Sequence, residues 1–266
     1  MSLHEKIRTD IIKHLSQENS DKINQLNNSM RLLAKWRSVL IQNTLLQNEG
    51  KIVRSGPFCG MDFLERSSEG CHIAKLLGSY EQPLFPYIEE AITSEFDAIL
   101  NIGCAEGYYA VGMAMRMPNT RVLAFDTNSQ AQASCKELAI RNKVSERVEI
   151  GGTFSASDFE RYDQEHTLLL CDIEGAENEL LDLRLAHCLK DIYIIVESHD
   201  CIRPGTTQRL LERFSATHHI TQVNDNGARE VAEAPQWFNN LGHLDQLLAT
   251  WEWRSGPTPW LIMKPK

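Results

Sequence analysis

A short turn of small side chains, followed at a distance by one acid, is the part of the sequence that most directly suggests chemistry. Gly103-Cys104-Ala105-Glu106-Gly107 follows the apolar run 98–102, and Asp126 closes the next apolar run nineteen residues after Gly107. Small residues let the backbone come close to a ligand, and the start of the following helix offers unpaired N–H groups to an anionic group. An acid about 20 residues further on can accept hydrogen bonds from ribose hydroxyls. The pattern predicts a site for a nucleotide-like cofactor.

The spacing within this turn separates two classes of cofactor. A dinucleotide fingerprint requires G-x-G-x-x-G, and here Ala105 and Tyr108 occupy the second and third glycine positions. Gly103, Ala105 and Gly107 instead fit G-x-G/A-x-G, which resembles the first motif of class I S-adenosylmethionine (SAM) methyltransferases. We therefore favour SAM as the cofactor. A nicotinamide-dependent oxidoreductase and a SAM-binding scaffold protein without catalysis remain as alternatives.

Two later apolar runs end in polar residues that can carry acid–base chemistry. Asp172 closes the run 167–171 and begins a segment with three acids in six residues, and His199 follows the run 192–196 within Glu197-Ser198-His199-Asp200. A histidine at the edge of a cleft can accept a proton near neutral pH, so His199, oriented by Asp200 or Glu197, is the first candidate base. The alternative is a loop histidine that neighbouring acids satisfy. Asp172 and Glu197 could also hold a divalent ion, but no ligand spacing here is specific enough to predict a metal site.

Other residues are expected to complete the cofactor site. Thr153 and Phe154 follow the third predicted strand, where the adenine would lie; the alternative is a plain turn into a helix, with Ser155 or Ser157 as the N-cap. Tyr80 and Glu81 precede a predicted helix at 85–93 and could fold over the cofactor, or Glu81 could simply favour the dipole of that helix. The full set of predicted cofactor residues is Tyr80, Glu81, Gly103, Cys104, Ala105, Gly107, Asp126, Thr127, Thr153, Phe154 and Asp172, with His199 and Asp172 as the catalytic candidates.

The elements that must position these residues alternate regularly from residue 97 onward. Strands are predicted at 98–103, 121–126, 147–150, 167–172, 191–197, 218–223 and 259–264, and helices at 107–117, 129–142, 175–189, 205–214 and 237–249. Alternating strands and helices indicate parallel βαβ units in a doubly wound α/β sheet. Such a sheet binds ligands beyond the carboxyl ends of its strands, and the segments that begin at Gly151, Asp172 and Glu197 all fall at those ends.

Two segments together carry a more specific resemblance. Asn101–Tyr109 and Cys171–Glu177, the second of which fits D-I/V-E-G-x-E, resemble the FkbM-like branch of class I SAM-dependent methyltransferases. The resemblance implies a Rossmann-like seven-stranded methyltransferase sheet whose last strand, near 260–264, is antiparallel. It also implies that the glycine turn holds the methionine part of SAM, that Asp126 holds the ribose, and that the acceptor is a hydroxyl of a small molecule or sugar. Asn101 stands where the family usually has an acid, which bears on any contact with the SAM amino group.

The sequence outside this region predicts an N-terminal helical extension. Residues 4–47 read as two helices broken near 18–21, with Ser20 or Asp21 as the cap of the second. Apolar residues at helical spacing form one stripe, which serves either packing on the main domain, a homodimer contact, or a lid over the substrate. Its members are Ile23, Leu26, Met30, Leu33 and Leu40. We predict three regions: 1–50 as the helical extension, 51–96 as a loop-rich lid and a helix leading into the sheet, and 97–266 as the SAM-binding domain.

Composition limits the partners. A formal net charge of −9 argues against a general nucleic-acid-binding protein, and no apolar stretch is long enough to cross a membrane. The first residues are polar and lack the apolar core of a signal peptide, and the seven cysteines contain no CxxC pair, which indicates reduced thiols and a cytoplasmic location. A small-molecule acceptor is the expected partner. The tryptophans at 237, 251, 253 and 260 line its pocket or pack in the core.

Overall fold

The computed structural model describes residues 2–16, 21–67, 70–163, 165–232, 234–254 and 256–266. Its seven strands are β1 (Ala98–Ile102), β2 (Arg121–Phe125), β3 (Val148–Gly151), β4 (Thr167–Cys171), β5 (Tyr193–Glu197), β6 (His218–Val223) and β7 (Trp260–Pro265). The helices are α1 (Leu3–Leu15), α2 (Lys22–Glu49), α3 (His72–Leu77), α4 (Phe85–Thr93), α5 (Tyr108–Arg116), α6 (Ser129–Arg141), α7 (Glu177–Leu180), α8 (Thr206–Phe214), α9 (Gln236–Asn239) and α10 (His243–Thr250). Short 3₁₀ helices lie at Gln82–Leu84, Ala156–Tyr162 and His187–Asp191.

The strands form one sheet in the order β3-β2-β1-β4-β5-β7-β6. The first five are parallel, and β7 runs antiparallel to both β5 and β6. Strands β1, β4 and β5 are buried along their whole length, as expected for parallel strands covered by helices on both faces. The predicted α/β class, the Rossmann-like seven-stranded sheet and the antiparallel last strand are all confirmed.

The register of the central strands brings their carboxyl ends level. Ile102 pairs with Phe125 on one side and with Cys171 on the other. The residues that follow these three strand ends are Gly103, Asp126 and Asp172. The hydrogen bonding of the sheet therefore places the glycine turn, the acid predicted to bind the ribose and the acid predicted to be catalytic close together at one edge.

Two predicted helices are wrong in extent. The helix expected at 175–189 is reduced to α7, turns and the 3₁₀ helix at its end, because Asp182 accepts from the backbone N–H of Arg184 (2.9 Å) and Arg213 donates to the carbonyl of Asn178 (2.7 Å). These bonds satisfy the chain in a non-helical path. The helix expected at 237–249 is broken into α9 and α10, and the Gln246 side chain donates to the carbonyl of Phe238 beside the break (3.3 Å).

The described parts of the segment 51–77, residues 51–67 and 70–77, are more ordered than its glycine content indicates. It contains α3, every residue of which is buried, and Val53, Met61 and Phe63 are fully buried as well. These side chains belong to the same apolar core as one face of the sheet. The part predicted as a loop-rich lid is thus packed against the sheet, and the division into three regions stays a prediction.

The two N-terminal helices begin and end close to the predicted positions. Asp21 caps α2 by accepting from the N–H of Ile23 (3.2 Å), whereas Ser20 lies outside the described residues. The C-terminal half of α2 buries Ile41 and Leu45, but the predicted stripe in its first half is exposed, with Leu26 and Met30 each 63% accessible. The homodimer contact stays a prediction. All seven cysteines are free thiols, and in the described part of the chain no helix is both long and apolar enough to cross a bilayer.

Candidate functional site

A cavity of about 560 Å³ opens where the carboxyl ends of β1, β2 and β4 meet. The predicted cofactor residues that line it are Gly103, Asp126, Thr127, Thr153, Phe154 and Asp172. Phe154 packs edge-on against Phe125, with ring centroids 4.8 Å apart, and both rings face the cavity. The cavity therefore has an apolar aromatic wall and a carboxylate at the ends of β2 and β4, the two strands that flank β1.

The glycine turn depends on a close approach between two strands. Gly103 has φ +79°, and a Cβ built on it would lie 1.5 Å from the carbonyl oxygen of Asp172. Ala105 also has a positive φ (+46°), and its N–H donates to Asp126 Oδ2 (2.9 Å). Asp126 Oδ1 accepts from the N–H of Asn128 (2.8 Å), so this carboxylate fixes the turn besides lining the cavity. Gly107 is not among the lining residues of this cavity; it is the N-cap of α5, where a Cβ would meet Cys135 Sγ at 2.6 Å.

A smaller cavity of about 40 Å³ continues on the other side of Gly103, and Tyr80, Cys104, Ala105, Asp172 and Trp260 are among its lining residues. Lys75 and Glu106 form a buried ion pair in its wall, with Nζ and Oε1 2.5 Å apart. Burial favours a raised pKa for Glu106, but the Lys75 ammonium outweighs it and the pKa lies below its usual value. The sequence signal for this pair is Lys75 itself, a lone charge in the otherwise apolar part of α3.

His199 is held by an acid that the sequence did not single out. Its Nδ1 donates to Glu177 Oε1 (2.6 Å), and the N–H of Gly175 donates to the same oxygen (2.9 Å). Both His199 and Glu177 are buried. The predicted orienting residues were Asp200 or Glu197, and this prediction is wrong for Asp200, whose carboxylate accepts from Thr207.

The other nitrogen of His199 faces carboxylates. Nε2 lies 3.5 Å from Asp172 Oδ1, 3.5 Å from Glu174 Oε2 and 3.7 Å from Glu197 Oε2. Burial favours a lowered pKa for this imidazole, but the hydrogen bond to Glu177 and the nearby carboxylates outweigh burial, and the pKa is raised. Sequence reasoning missed this contact because Glu177 and His199 are 22 residues apart along the chain.

Glu81 is not among the lining residues of either of the first two cavities. It is buried, accepts from Tyr109 Oη, and pairs with Arg254 (2.7 Å). Arg254 also pairs with Glu197 and Glu252, and Arg229 pairs with Glu252 and Asp225 (both 2.5 Å). Burial raises the pKa values of Glu81 and Glu252. This ion-pair cluster ties the C-terminal segment to the strand ends, and neither arginine was predicted from sequence.

A third cavity, of about 260 Å³, lies beyond Asp172 from the first one. Its walls include Tyr80, Asp172, Glu174, His199, Trp253 and Arg254. Asp172 borders all three cavities and is the wall that they share. Of the four tryptophans considered above, Trp253 lines the third cavity and Trp260 the small one.

Comparison with known proteins finds several similarities. No protein-family model matches the chain. The curated protein "ribosomal RNA large subunit methyltransferase G" from Magnetococcus marinus is 25% identical over 142 residues, which are 53% of this chain. The match spans 37% of the length of that protein.

Among solved structures, a proposed O-methyltransferase from Klebsiella pneumoniae has a TM-score of 0.47 at 15% identity, covering 69% of this chain and 80% of that one. A precorrin-6y C5,15-methyltransferase from Geobacter metallireducens has a TM-score of 0.44 at 11% identity, covering 68% and 87%. A proposed caffeoyl-CoA O-methyltransferase from Staphylococcus aureus has a TM-score of 0.45 at 11% identity, covering 98% and 100%.

Proposed function

We propose that the protein is a SAM-dependent methyltransferase of the FkbM-like branch that methylates a hydroxyl group of a small molecule or sugar. The observation that carries this proposal is the position of Asp172, which separates a cofactor-sized cavity from a polar cavity containing His199. A transferase needs two adjoining sites whose ligands meet at one point. The curated methyltransferase relative supports the same class of reaction.

The residues of the first cavity fit SAM. Asp126 is placed to accept from ribose hydroxyls, Phe154 offers a ring to the adenine, and Thr153 offers a hydroxyl. Gly103 leaves the space between β1 and β4 free of a side chain. When bound, SAM supplies a methyl group that its sulfonium already activates, so the chain has to align the two ligands and keep water out.

The third cavity would hold the acceptor. Its carboxylates can accept hydrogen bonds from several hydroxyls, and Trp253 offers an apolar face to a ring. The acceptor hydroxyl would lie against Asp172 and His199, where its proton is removed. Arg254, by pairing with Glu81 and Glu197, fixes one wall of the cavity.

Other functions are less well supported. The turn lacks the glycine spacing of a dinucleotide site, which disfavours the oxidoreductase. An RNA acceptor is disfavoured by the net charge of −9 and by the acids around the third cavity. The seven free thiols suit the cytoplasmic location that we infer.

Calorimetric titration with SAM and S-adenosylhomocysteine tests the cofactor assignment. Asp126→Ala should weaken binding at least about tenfold, since charged hydrogen bonds contribute about 1.5–3 kcal/mol. Asp126→Asn, which keeps a hydrogen-bond acceptor for the N–H groups of the turn, should weaken binding less than Asp126→Ala does. Asp191→Ala is the matched control and should bind normally, because this exposed aspartate lies before the amino end of β5, at the opposite edge of the sheet. Equal affinity in all four proteins would remove the assignment.

Transfer of the methyl group is tested separately. The protein is incubated with methyl-labelled SAM and a pool of hydroxylated small molecules and sugars, and label is expected in the small-molecule fraction. His199→Ala should keep SAM affinity while turnover falls by about 10²–10⁴-fold. Binding of SAM with no labelled product from any pool would favour the non-catalytic scaffold.

A further inference from the structure

Three side chains from the segments that follow β4 and β5 lie close together in the third cavity. One ligand-type atom from each of Asp172, Glu174 and His199 lies within 4.8 Å of the other two. Asp172 follows β4, Glu174 lies in the turn after it, and His199 follows β5. Glu174 reaches this point through a left-handed backbone conformation (φ +52°).

Two of the distances within this group are close to those between atoms that share one metal ion. His199 Nε2 lies 3.5 Å from an oxygen of Asp172 and 3.5 Å from an oxygen of Glu174. A hydrogen bond between nitrogen and oxygen is normally about 2.7–3.2 Å long. Two ligand atoms that each lie about 2.1 Å from one ion, at an angle of about 90–110°, are instead about 3.0–3.4 Å apart. The observed separations are close to the second case.

The histidine provides an observation that is independent of the acids. Its side chain is 4% accessible, and Glu177, whose side chain is wholly inaccessible, accepts from Nδ1 at 2.6 Å. A carboxylate behind the imidazole fixes its orientation and leaves Nε2 to face the cavity, as in metal-binding histidines. On the cavity side, Nε2 lies 3.5–3.7 Å from three carboxylate oxygens.

We propose that Asp172, Glu174 and His199 bind one divalent cation, of the class that accepts mixed nitrogen and oxygen ligands, such as Mn²⁺, Fe²⁺ or Zn²⁺. One imidazole and two carboxylates suit these ions better than Mg²⁺ or Ca²⁺, which prefer oxygen alone. Glu177 is then the positioning residue of the site. His199 becomes a ligand in place of the base that the sequence predicted.

The role of the ion rests on the proposed function. A cation here would hold the acceptor hydroxyl through its oxygen and lower the pKa of that hydroxyl. The hydroxyl loses its proton to solvent through the open cavity, the oxygen forms the bond to the methyl carbon, and the carbon–sulfur bond breaks with its electron pair left on sulfur. No group is oxidised or reduced.

Electron paramagnetic resonance of Mn²⁺ tests the site without any activity measurement. Protein freed of metal with a chelator is titrated with MnCl₂, and loss of the free-ion signal should show one ion bound per chain. Glu174→Gln, at an exposed side chain that folding does not need, and His199→Ala should each weaken binding at least about tenfold. Glu177→Gln should weaken it by about 10–100-fold. Glu212→Gln, an exposed glutamate on α8 with the same charge change, should bind as the wild type does.

Two results would overturn the metal site. One is no bound Mn²⁺ in the wild type, and the other is equal binding in Glu174→Gln, His199→Ala and the wild type, which would indicate an adventitious ion. Titration of the same samples with S-adenosylhomocysteine separates this outcome from failure of the proposed function. Cofactor binding without Mn²⁺ binding rejects the metal alone. Site-dependent Mn²⁺ binding without cofactor binding supports the metal and rejects the methyltransferase.

Discussion

Replacing Gly103 by alanine should damage the protein far more than its small size change implies. Two costs add at this position. The φ of +79° costs an alanine about 1–2 kcal/mol. The new Cβ would also lie 1.5 Å from the Asp172 carbonyl oxygen, which belongs to rigid backbone at the end of β4. Overpacking of this kind costs about 1–3 kcal/mol or more.

The matched control is Gly227→Ala. Gly227 has nearly the same φ (+76°), and nothing lies within 4 Å of a Cβ built there. The control variant therefore has the conformational cost of a positive φ but no steric clash. For a chain of this size, 1 kcal/mol corresponds to about 2–4 °C in melting temperature, so we expect a fall of roughly 4–20 °C for Gly103→Ala and roughly 2–8 °C for Gly227→Ala.

Thermal unfolding followed by circular dichroism measures both variants, and calorimetry measures their affinity for S-adenosylhomocysteine. Gly103→Ala should also bind the cofactor product more weakly, because the clash pushes apart the two strand ends that form the cavity. Equal melting temperatures in the two variants would refute the reasoning. They would mean that the close approach of β1 and β4 is not fixed by the fold.

Three further predictions concern other parts of the molecule. His72 is buried, and burial lowers its pKa to about 4. The free energy of unfolding should therefore fall by about 3 kcal/mol as the pH drops from 6.5 to 4. In urea titrations, His72→Gln should lose most of this dependence of the unfolding free energy on pH. Arg254→Met leaves buried carboxylates uncompensated and should cost about 3–5 kcal/mol. That loss should be smaller at pH 5 than at pH 8, because the pKa values of Glu81 and Glu252 are raised, and a pH-independent loss would contradict it. If the exposed stripe of α2 joins two copies, light scattering should find a dimer that Leu26→Glu with Met30→Glu converts to monomer, and a monomeric wild type would reject the contact.

Local patterns in the sequence were enough to predict the sheet and the ends of its strands. Apolar runs of strand length alternate with helical stretches. The polar or small residues that carry the site follow these runs directly in the sequence, so their position at the strand ends depends only on where each strand stops. Gly103, Asp126 and Asp172 could therefore be placed at one edge before any coordinates were considered. The helix over 175–189 was extended too far because the bonds that interrupt it come from Asp182 side-chain geometry and from Arg213 on α8.

The sequence by itself determined the α/β class, the strand ends and the turn whose spacing favours SAM, because these features depend on residues that are neighbours along the chain. Only the tertiary structure decided which charges meet. Glu177 holds His199 from 22 residues away, and Arg254 reaches Glu81 across 173 residues. A buried charge is tolerated only beside its partner, and the partner is chosen by the path of the whole chain. For that reason the acids and arginines around the third cavity could not be predicted from the spacing of residues along the sequence.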